Sequence, residues 1–388
     1  MRPKAATSQG MQIVLWVSVL TDHQIHTFRA LQELLGQPIH FVIGRKMLEE
    51  RKAQGWCEPK MEDISIEFLP KLDWWRAGHR VLKRYPQGLH MFCGLWADRR
   101  FFPLLFKAQL GGISTALMME PFAEHSQSYF GEHAAPTDAI KSRLRPLAYW
   151  VAGHLVARRL VAAFPISNQA IVQVKAMGLP AKRIFPFGYF VPRNFANSPA
   201  TVSHATDPLR LVFVGSLIAR KGLTTLLEAV KRLRNEDVDI LLDVYGPGNA
   251  STVAGPGIDY RGIIPFGSTQ NVIRSYDLLV LPSLHDGWGV VVNEALMQGV
   301  PVLVSNACGA KTLIEVSGAG NIFEAGSADD LMRALRELSQ PGRLSDCQRN
   351  ARAYRSFLTP AFAAQQLHNY LANLAGNLGS EKLSPWYL

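Results

Sequence analysis

Residues 277–282 (DLLVLP) and 300–305 (VPVLVS) are two apolar runs of strand length separated by a stretch of helical length, and that pairing commits the chain to a parallel sheet. Strands that are apolar on both faces and joined through a helix are buried as parallel neighbours with helices packed on either side. The connection, SLHDGWGVVVNEALMQG, carries the chemistry. Gly287 and Gly289 flank Trp288 where strand turns into helix, so main-chain N–H groups can converge on an anion without a Cβ in the way. The helix N-terminus adds its partial positive charge. Glu294 falls in the second turn, and helical side chains lean toward the N-terminus, so its carboxylate is expected to share a crevice with Asp286. An anion nest beside two acceptors for hydroxyl groups suits a ligand that is part diphosphate and part carbohydrate. The plainer alternative, a strand, turn and helix with a solvated acid, leaves the coincidence of glycines and acids unexplained.

The same alternation of strand and helix runs through the rest of the chain. Residues 209–222 (LRLVFVGSLIARKG) read as a strand ending at Gly215, then a loop with Arg220 and Lys221. Leu223, Leu226, Leu227, Val230 and Leu233 follow at helical spacing. Adjacent cations at such a handover are placed to neutralise a diphosphate, although alone they would read as solvated loop charges. Residues 240–245 form another strand, closed by Gly246-Pro247-Gly248, and a short segment YRGIIP lies at 260–265. In the first half, strand-like runs at 11–20, 38–44, 64–69, 88–93, 113–119 and 160–166 alternate with helical stretches, the pattern of an open α/β sheet. Segment 188–208 has no periodicity and reads as a linker.

Taken in order, these segments resemble the signature of retaining glycosyltransferases of family 4. That family is marked by two acids eight positions apart around a Gly-aromatic-Gly turn, the separation of Asp286 and Glu294, with Asp here one methylene shorter than the usual Glu. The resemblance covers residues 209–330. It implies the GT-B fold, an α/β architecture of two Rossmann-like domains facing each other across a cleft, with a C-terminal helix crossing back onto the first. The boundaries expected are an acceptor-binding domain at 1–190, a linker at 191–208, a nucleotide-sugar domain at 209–360, and a crossover helix and tail at 361–388. The donor site implied is made by Gly215, Ser216, Arg220, Lys221, Tyr245, Gly246, Ile264, Pro265, Asp286, Gly287, Trp288, Gly289, Val290 and Glu294. Arg220 and Lys221 would grip the leaving diphosphate, Asp286 the donor hydroxyls and Glu294 the ribose. The activity implied is retaining, metal-independent transfer from a nucleotide-diphosphate sugar to a saccharide or lipid-linked acceptor in surface polysaccharide synthesis. No cofactor beyond that donor substrate is expected.

Composition narrows the setting. At 388 residues with 48% hydrophobic and 19% charged content, the chain is long enough for two full cores. Cys57, Cys93, Cys308 and Cys347 lie far apart without a CxxC pair, which suggests neither a zinc site nor a disulfide framework and favours the cytoplasm. Residues 13–20 (IVLWVSVL) mimic a signal peptide, but Asp22-His23 follows without a small-residue cleavage site, so a buried first strand is expected. Charge is uneven: 25 Lys and Arg face 14 Asp and Glu in residues 1–200, an excess of 11, whereas 16 face 17 in the remainder. A basic first domain suggests an anionic partner, whether a lipid headgroup as at the inner face of the cell membrane, a phosphate-bearing acceptor or nucleic acid, or else plain solubility charge. Residues 139–163 combine basic residues with Leu, Trp and Val as an interfacial helix would, although Pro146 is expected to interrupt the helix and the Val-Ala-rich end reads as buried.

Two loops of the first half follow strands and so fall where open α/β sheets collect ligands. In one, Glu120 and His125 are candidates to face the cleft and bind acceptor or donor sugar. In the other, TDHQIHTF at 21–28, the sequence does not choose between His23 and His26. The competing readings are a Rossmann oxidoreductase, a GT-B epimerase or phosphorylase, and a non-catalytic sugar-nucleotide-binding subunit. The first fails because no helix opens after Gly246-x-Gly248 and no acid closes the next strand. Asp237-Val238-Asp239, the one Asp-x-Asp match, enters a strand rather than leaving it, so it reads as solvated and no metal site is assigned. Nucleic acid is not expected as a partner.

Overall fold

The computed structural model describes residues 11–47, 52, 58–122, 136–194, 208–374 and 384–387, with 136–143 as backbone. The first lobe holds strands β1 (Ile13–Val17), β2 (His40–Ile43), β3 (Ser65–Phe68), β4 (Leu89–Cys93), β5 (Thr115–Met119) and β6 (Leu160–Pro165). Its helices are α1 (Asp22–Leu35), α2 (Trp74–Arg84), α3 (Phe101–Leu110), α4 (Pro136–Ala157) and α5 (Asn168–Ala176). The second lobe holds β7 (Leu209–Val214), β8 (Ile240–Tyr245), β9 (Ile258–Gly262), β10 (Leu278–Leu281), β11 (Val302–Ser305) and β12 (Gly320–Phe323). Between and after these strands come α6 (Leu223–Asn235), α7 (Thr269–Ile273), α8 (Val290–Gln298), α9 (Lys311–Ser317), α10 (Ala328–Leu338), α11 (Arg343–Tyr354) and α12 (Pro360–Leu374).

Both sheets are parallel, ordered β3-β2-β1-β4-β5-β6 and β12-β11-β10-β7-β8-β9. Every residue of β1, β10 and β11 is buried, as strands covered on both faces require. In each lobe the winding reverses beside the first strand, between β1 and β4 and between β7 and β10. A crevice therefore opens at the carboxyl ends of those strands. The loop carrying Arg220-Lys221 leaves β7 and the loop carrying Asp286 leaves β10, so the order of strands makes two segments 65 residues apart into neighbours.

One buried apolar cluster runs through both lobes, from Ile13 and Phe41 through Phe187, Phe190 and Trp386 to Val292 and Val304. Helix α12 returns from the second lobe to pack on α1. Residues 384–387 close the joint: Trp386 is fully buried and its Nε1 donates to the Phe357 carbonyl at 2.7 Å, while Thr312 Oγ1 donates to the Trp386 carbonyl at 2.8 Å. The Tyr387 hydroxyl donates to the Phe187 carbonyl at 2.6 Å and accepts from the Ser167 N–H at 2.8 Å.

Two expectations for α4 need correction. The helix is continuous from Pro136 to Ala157 with Pro146 inside it. Proline removes one ladder bond and bends a helix rather than ending it where packing holds the helix in place; here, on the far side of Pro146, Ala152, Val156 and Ala157 are buried and Tyr149 stacks on Phe122 at 4.1 Å. The Val-Ala-rich end is buried on one face only. Leu144, Leu147, Trp150, Val151 and Leu155 are each 45–58% exposed, so an apolar stripe looks outward.

Candidate active site

The loop after β7 and the loop after β10 are locked by their backbones. Gly222 has φ 64°, and a Cβ there would lie 1.9 Å from the Pro282 carbonyl oxygen, so only glycine permits the approach. The Leu284 N–H donates to the Arg220 carbonyl at 2.8 Å, and Arg220 Nη1 donates to the His285 carbonyl at 2.7 Å. This contact delivers Lys221 Nζ to 2.6 Å from Asp286 Oδ2, with side-chain exposures of 18% and 13%. Burial alone would push the Asp286 carboxyl up, but the charge and hydrogen bond of Lys221, with Arg220 and His285 behind them, hold it below the ordinary carboxylate range. The two residues read from the sequence as separate contacts to phosphate and sugar therefore form an ion pair.

A backbone bridge to Cys308 steadies the turn that follows, through the Asp286 N–H to the Ala307 carbonyl at 3.1 Å and the Gly309 N–H to the Asp286 carbonyl at 3.0 Å. Gly289 has φ 96° and leads into α8, whose first N–H groups have no partner inside the helix. Val290 is the first helical residue. Trp288 does not face the crevice: its ring is buried and its Nε1 donates to Asn293 Oδ1 at 2.9 Å, leaving only its backbone for a ligand. Gly215 and Ser216 lie where β7 ends. Gly246, with φ 145°, presses against Gly215, where a Cβ would meet the Gly215 carbonyl oxygen at 1.8 Å. The Tyr245 hydroxyl is bonded to the Tyr276 hydroxyl at 3.0 Å, so its side chain is used within the lobe. Ile264 and Pro265 follow the edge strand β9, beside the end of β8.

Glu294 stands in the second turn of α8. It is partly buried, and its carboxyl is pushed up to about 8, first by burial and then by the negative charge of Asp22 in the first turn of α1. The acid that Glu294 senses thus belongs to the opposite lobe. His26 Nε2 lies 3.1 Å from Asp22 Oδ2, whereas His23 sets its ring edge-on to Tyr189 with centroids 4.6 Å apart.

Glu120, at the end of β5, reaches across the gap. A Cβ on Gly287 would lie 2.6 Å from Glu120 Oε2, so the second glycine-rich turn is shaped to admit this carboxylate. Tyr189 OH donates to Glu120 Oε1 at 2.5 Å, and Asn293 Nδ2 donates to the Tyr189 carbonyl at 3.0 Å. Burial, followed by Glu120 itself, pushes the Tyr189 hydroxyl well above its usual value, which keeps it a donor. Trp288, Asn293, Tyr189 and Glu120 form one chain from the second lobe to the first. His125 lies outside the described residues. Among the residues that sequence reasoning passed over, Tyr189 falls at the start of the stretch 188–208 that reads as non-periodic, and its hydroxyl beside Phe187 and Phe190 was the available signal. Asp22 and Asn293 offered none beyond their polarity. Asp237 and Asp239 lie at the amino end of β8, away from the crevice, and among the described residues no three His, Cys, Asp or Glu side chains converge to hold a metal.

Two parallel six-stranded α/β lobes with their ligand loops facing each other constitute the GT-B fold of glycosyltransferases. Within it, residues 195–354 match the family model described as glycosyl transferases group 1. Alpha-D-kanosaminyltransferase of Streptomyces kanamyceticus is 24% identical over 277 residues, which cover 67% of this chain and 69% of that protein. The amylovoran biosynthesis glycosyltransferase AmsK of Erwinia amylovora is 28% identical over 192 residues, covering 45% of this chain and 47% of that one. Among solved structures, Anabaena HepE in complex with UDP and glucose superposes with a TM-score of 0.65 at 13% identity, covering 93% of this chain and 99% of its own. The lipopolysaccharide outer core galactosyltransferase WaaB superposes with 0.67 at 14% identity, covering 94% and 99%.

Proposed function

We propose that the protein is a retaining, metal-independent glycosyltransferase that moves a sugar from a nucleotide-diphosphate sugar to a saccharide or lipid-linked acceptor in polysaccharide synthesis. The observation that carries this reading is the Lys221–Asp286 pair at the switch point of the second lobe, facing Glu120 of the first. As the sugar–phosphate bond breaks, negative charge grows on the diphosphate. Lys221, Arg220 and the N–H groups at the start of α8 are fixed there before the reaction, and preorganised donors of this kind stabilise a leaving group. Asp286 and Glu120 offer acceptors to sugar hydroxyls on either side. The relatives' names support glycan synthesis, and the complex of HepE with UDP and glucose supports a sugar nucleotide as donor.

The test is turnover. Purified protein incubated with labelled sugar nucleotides and a membrane extract should place label in lipid or glycan. Release of epimerised free nucleotide, or binding without product, would replace the reading by an epimerase or a binding subunit.

The exposed stripe of α4 supports an acceptor held at an anionic membrane. Arg158 and Arg159 are exposed at its end, and among the described residues no helix is long and apolar enough to cross a bilayer. An apolar face with flanking arginines lies in the headgroup region of such a surface. Vesicles containing anionic lipid should co-float with the protein, and Leu147→Glu with Trp150→Glu should weaken that binding by at least about tenfold. Equal binding to vesicles of neutral lipid alone would remove the anionic surface from the proposal.

A further inference from the structure

Glu120 is held by a ring of contacts that closes through the glycine-rich turn of the second lobe. Its Oε2 stands 2.6 Å from where a Cβ on Gly287 would lie, and its Oε1 accepts from the Tyr189 hydroxyl at 2.5 Å. From Tyr189 the ring runs back into the second lobe: Asn293 Nδ2 donates to the Tyr189 carbonyl at 3.0 Å, and Asn293 Oδ1 accepts from Trp288 Nε1 at 2.9 Å. Trp288 adjoins Gly287, so the ring is complete. The indole also rests on Gly188, where a Cβ would meet it at 2.6 Å, which fixes the backbone beside Tyr189 against the same turn. On its other side this segment is tied to the first lobe, through the Phe187 N–H to the Pro165 carbonyl at 2.9 Å.

Packing alone does not ask for a hydroxyl at this position. Tyr189 shares an apolar cluster with Phe187 and Phe190, and a third phenylalanine would bury the same ring without a polar atom. The hydroxyl instead meets two polar side chains, Glu120 at the end of β5 and Gln24 of α1. A hydroxyl donating to a carboxylate at this distance is a charge-assisted bond, about twice as strong as a neutral one, and it fixes the direction in which the other oxygen points. That direction is toward Gly287. A donor's sugar is joined to the phosphate that this turn would hold, so a carboxylate against Gly287 is within reach of the sugar's hydroxyls. We propose that Tyr189 is a positioning residue for the transfer reaction, holding the Glu120 carboxylate in register with the turn that receives the diphosphate. The inference rests on the sugar-transfer reading, since it takes Glu120 as a contact to the sugar half of the donor. The tyrosine acts through Glu120 rather than on the sugar.

The test separates the two halves of the donor. UDP and UDP-glucose, with GDP and GDP-mannose as a second pair, are titrated by calorimetry into the parent, Tyr189→Phe, Glu120→Ala and the double variant. The nucleoside diphosphate should bind Tyr189→Phe within about twofold of the parent, which also shows that the variant is folded. The ratio of the two dissociation constants should shift against the sugar nucleotide by at least about fivefold in Tyr189→Phe, and no further in the double variant than in Glu120→Ala. In turnover, Tyr189→Phe should lower kcat by at least about tenfold in the parent and leave it unchanged in the Glu120→Ala background. A tyrosine that only supports the fold gives a lower melting point with an unchanged ratio, or the same loss in both backgrounds. Either result would overturn the positioning role and leave the donor reading intact. Failure of both pairs to bind the parent would overturn the donor reading and the proposal with it.

Discussion

Lys221→Ala is expected to lower sugar transfer at least about a hundredfold and, in the same protein, to lower folding stability by about 3–5 kcal/mol. The first effect follows from removing a fixed cation beside the leaving diphosphate. The second follows from what is left behind. Asp286 is 13% exposed, and without the ammonium at 2.6 Å it keeps a long contact from Ser283 Oγ at 3.5 Å and the more distant charges of Arg220 and His285. A buried carboxylate stripped of its ion-pair partner is costly, so the loss should depend on pH with a predictable sign. In the parent, Lys221 depresses the Asp286 carboxyl, and the resulting stability is present above the unfolded value and lost as pH falls. In Lys221→Ala, burial wins and the folded carboxyl moves upward. The deficit should then be largest above neutrality and shrink as pH falls and Asp286 takes up a proton. Urea denaturation at pH 5 and pH 8 measures this, and Lys221→Ala/Asp286→Asn should recover most of the stability with none of the turnover. A single variant as stable as the parent at pH 8 would show that the pair contributes nothing to folding.

That coupling was not legible in the sequence, although both residues were. The apolar runs at 277–282 and 300–305 and the helical spacing from Leu223 to Leu233 specify the second sheet locally, because strand and helix periods are properties of short segments. The pairing of Lys221 with Asp286 depends instead on β10 lying beside β7, a neighbourhood set by winding order, and on Gly222 resting against Pro282. Contacts between lobes are harder still. Neither spacing nor polarity places Asp22 opposite Glu294, or directs the Tyr189 hydroxyl to Glu120. Pro146 misleads for the opposite reason, since its local preference is overruled by the packing of Ala152 and Val156.

Glu294→Gln should stabilise the protein while impairing it. With the folded carboxyl pushed up to about 8 against an ordinary 4.5, the native state holds a proton that the unfolded chain releases. Folding therefore takes up a proton between those values, and stability from this group is full below pH 4.5 and declines as pH rises toward 8. Glutamine removes the penalty. The gain should be absent at pH 4, grow through neutrality, and level off above pH 8 at about 2–4 kcal/mol, allowing for partial exposure of the side chain. The cost appears in catalysis. To hold two ribose hydroxyls as a double acceptor, Glu294 must lose that proton, so the parent's KM for the donor should fall as pH rises to about 8. In the variant, KM should be higher by at least about tenfold and flat with pH, because an amide offers one acceptor and does not titrate. Stability and donor affinity thus pull Glu294 in opposite directions across the same pH range, as a carboxylate retained for binding rather than for folding would. A variant that binds donor as the parent does, with the same pH profile, would leave Glu294 only its charge coupling to Asp22 and remove it from the donor site.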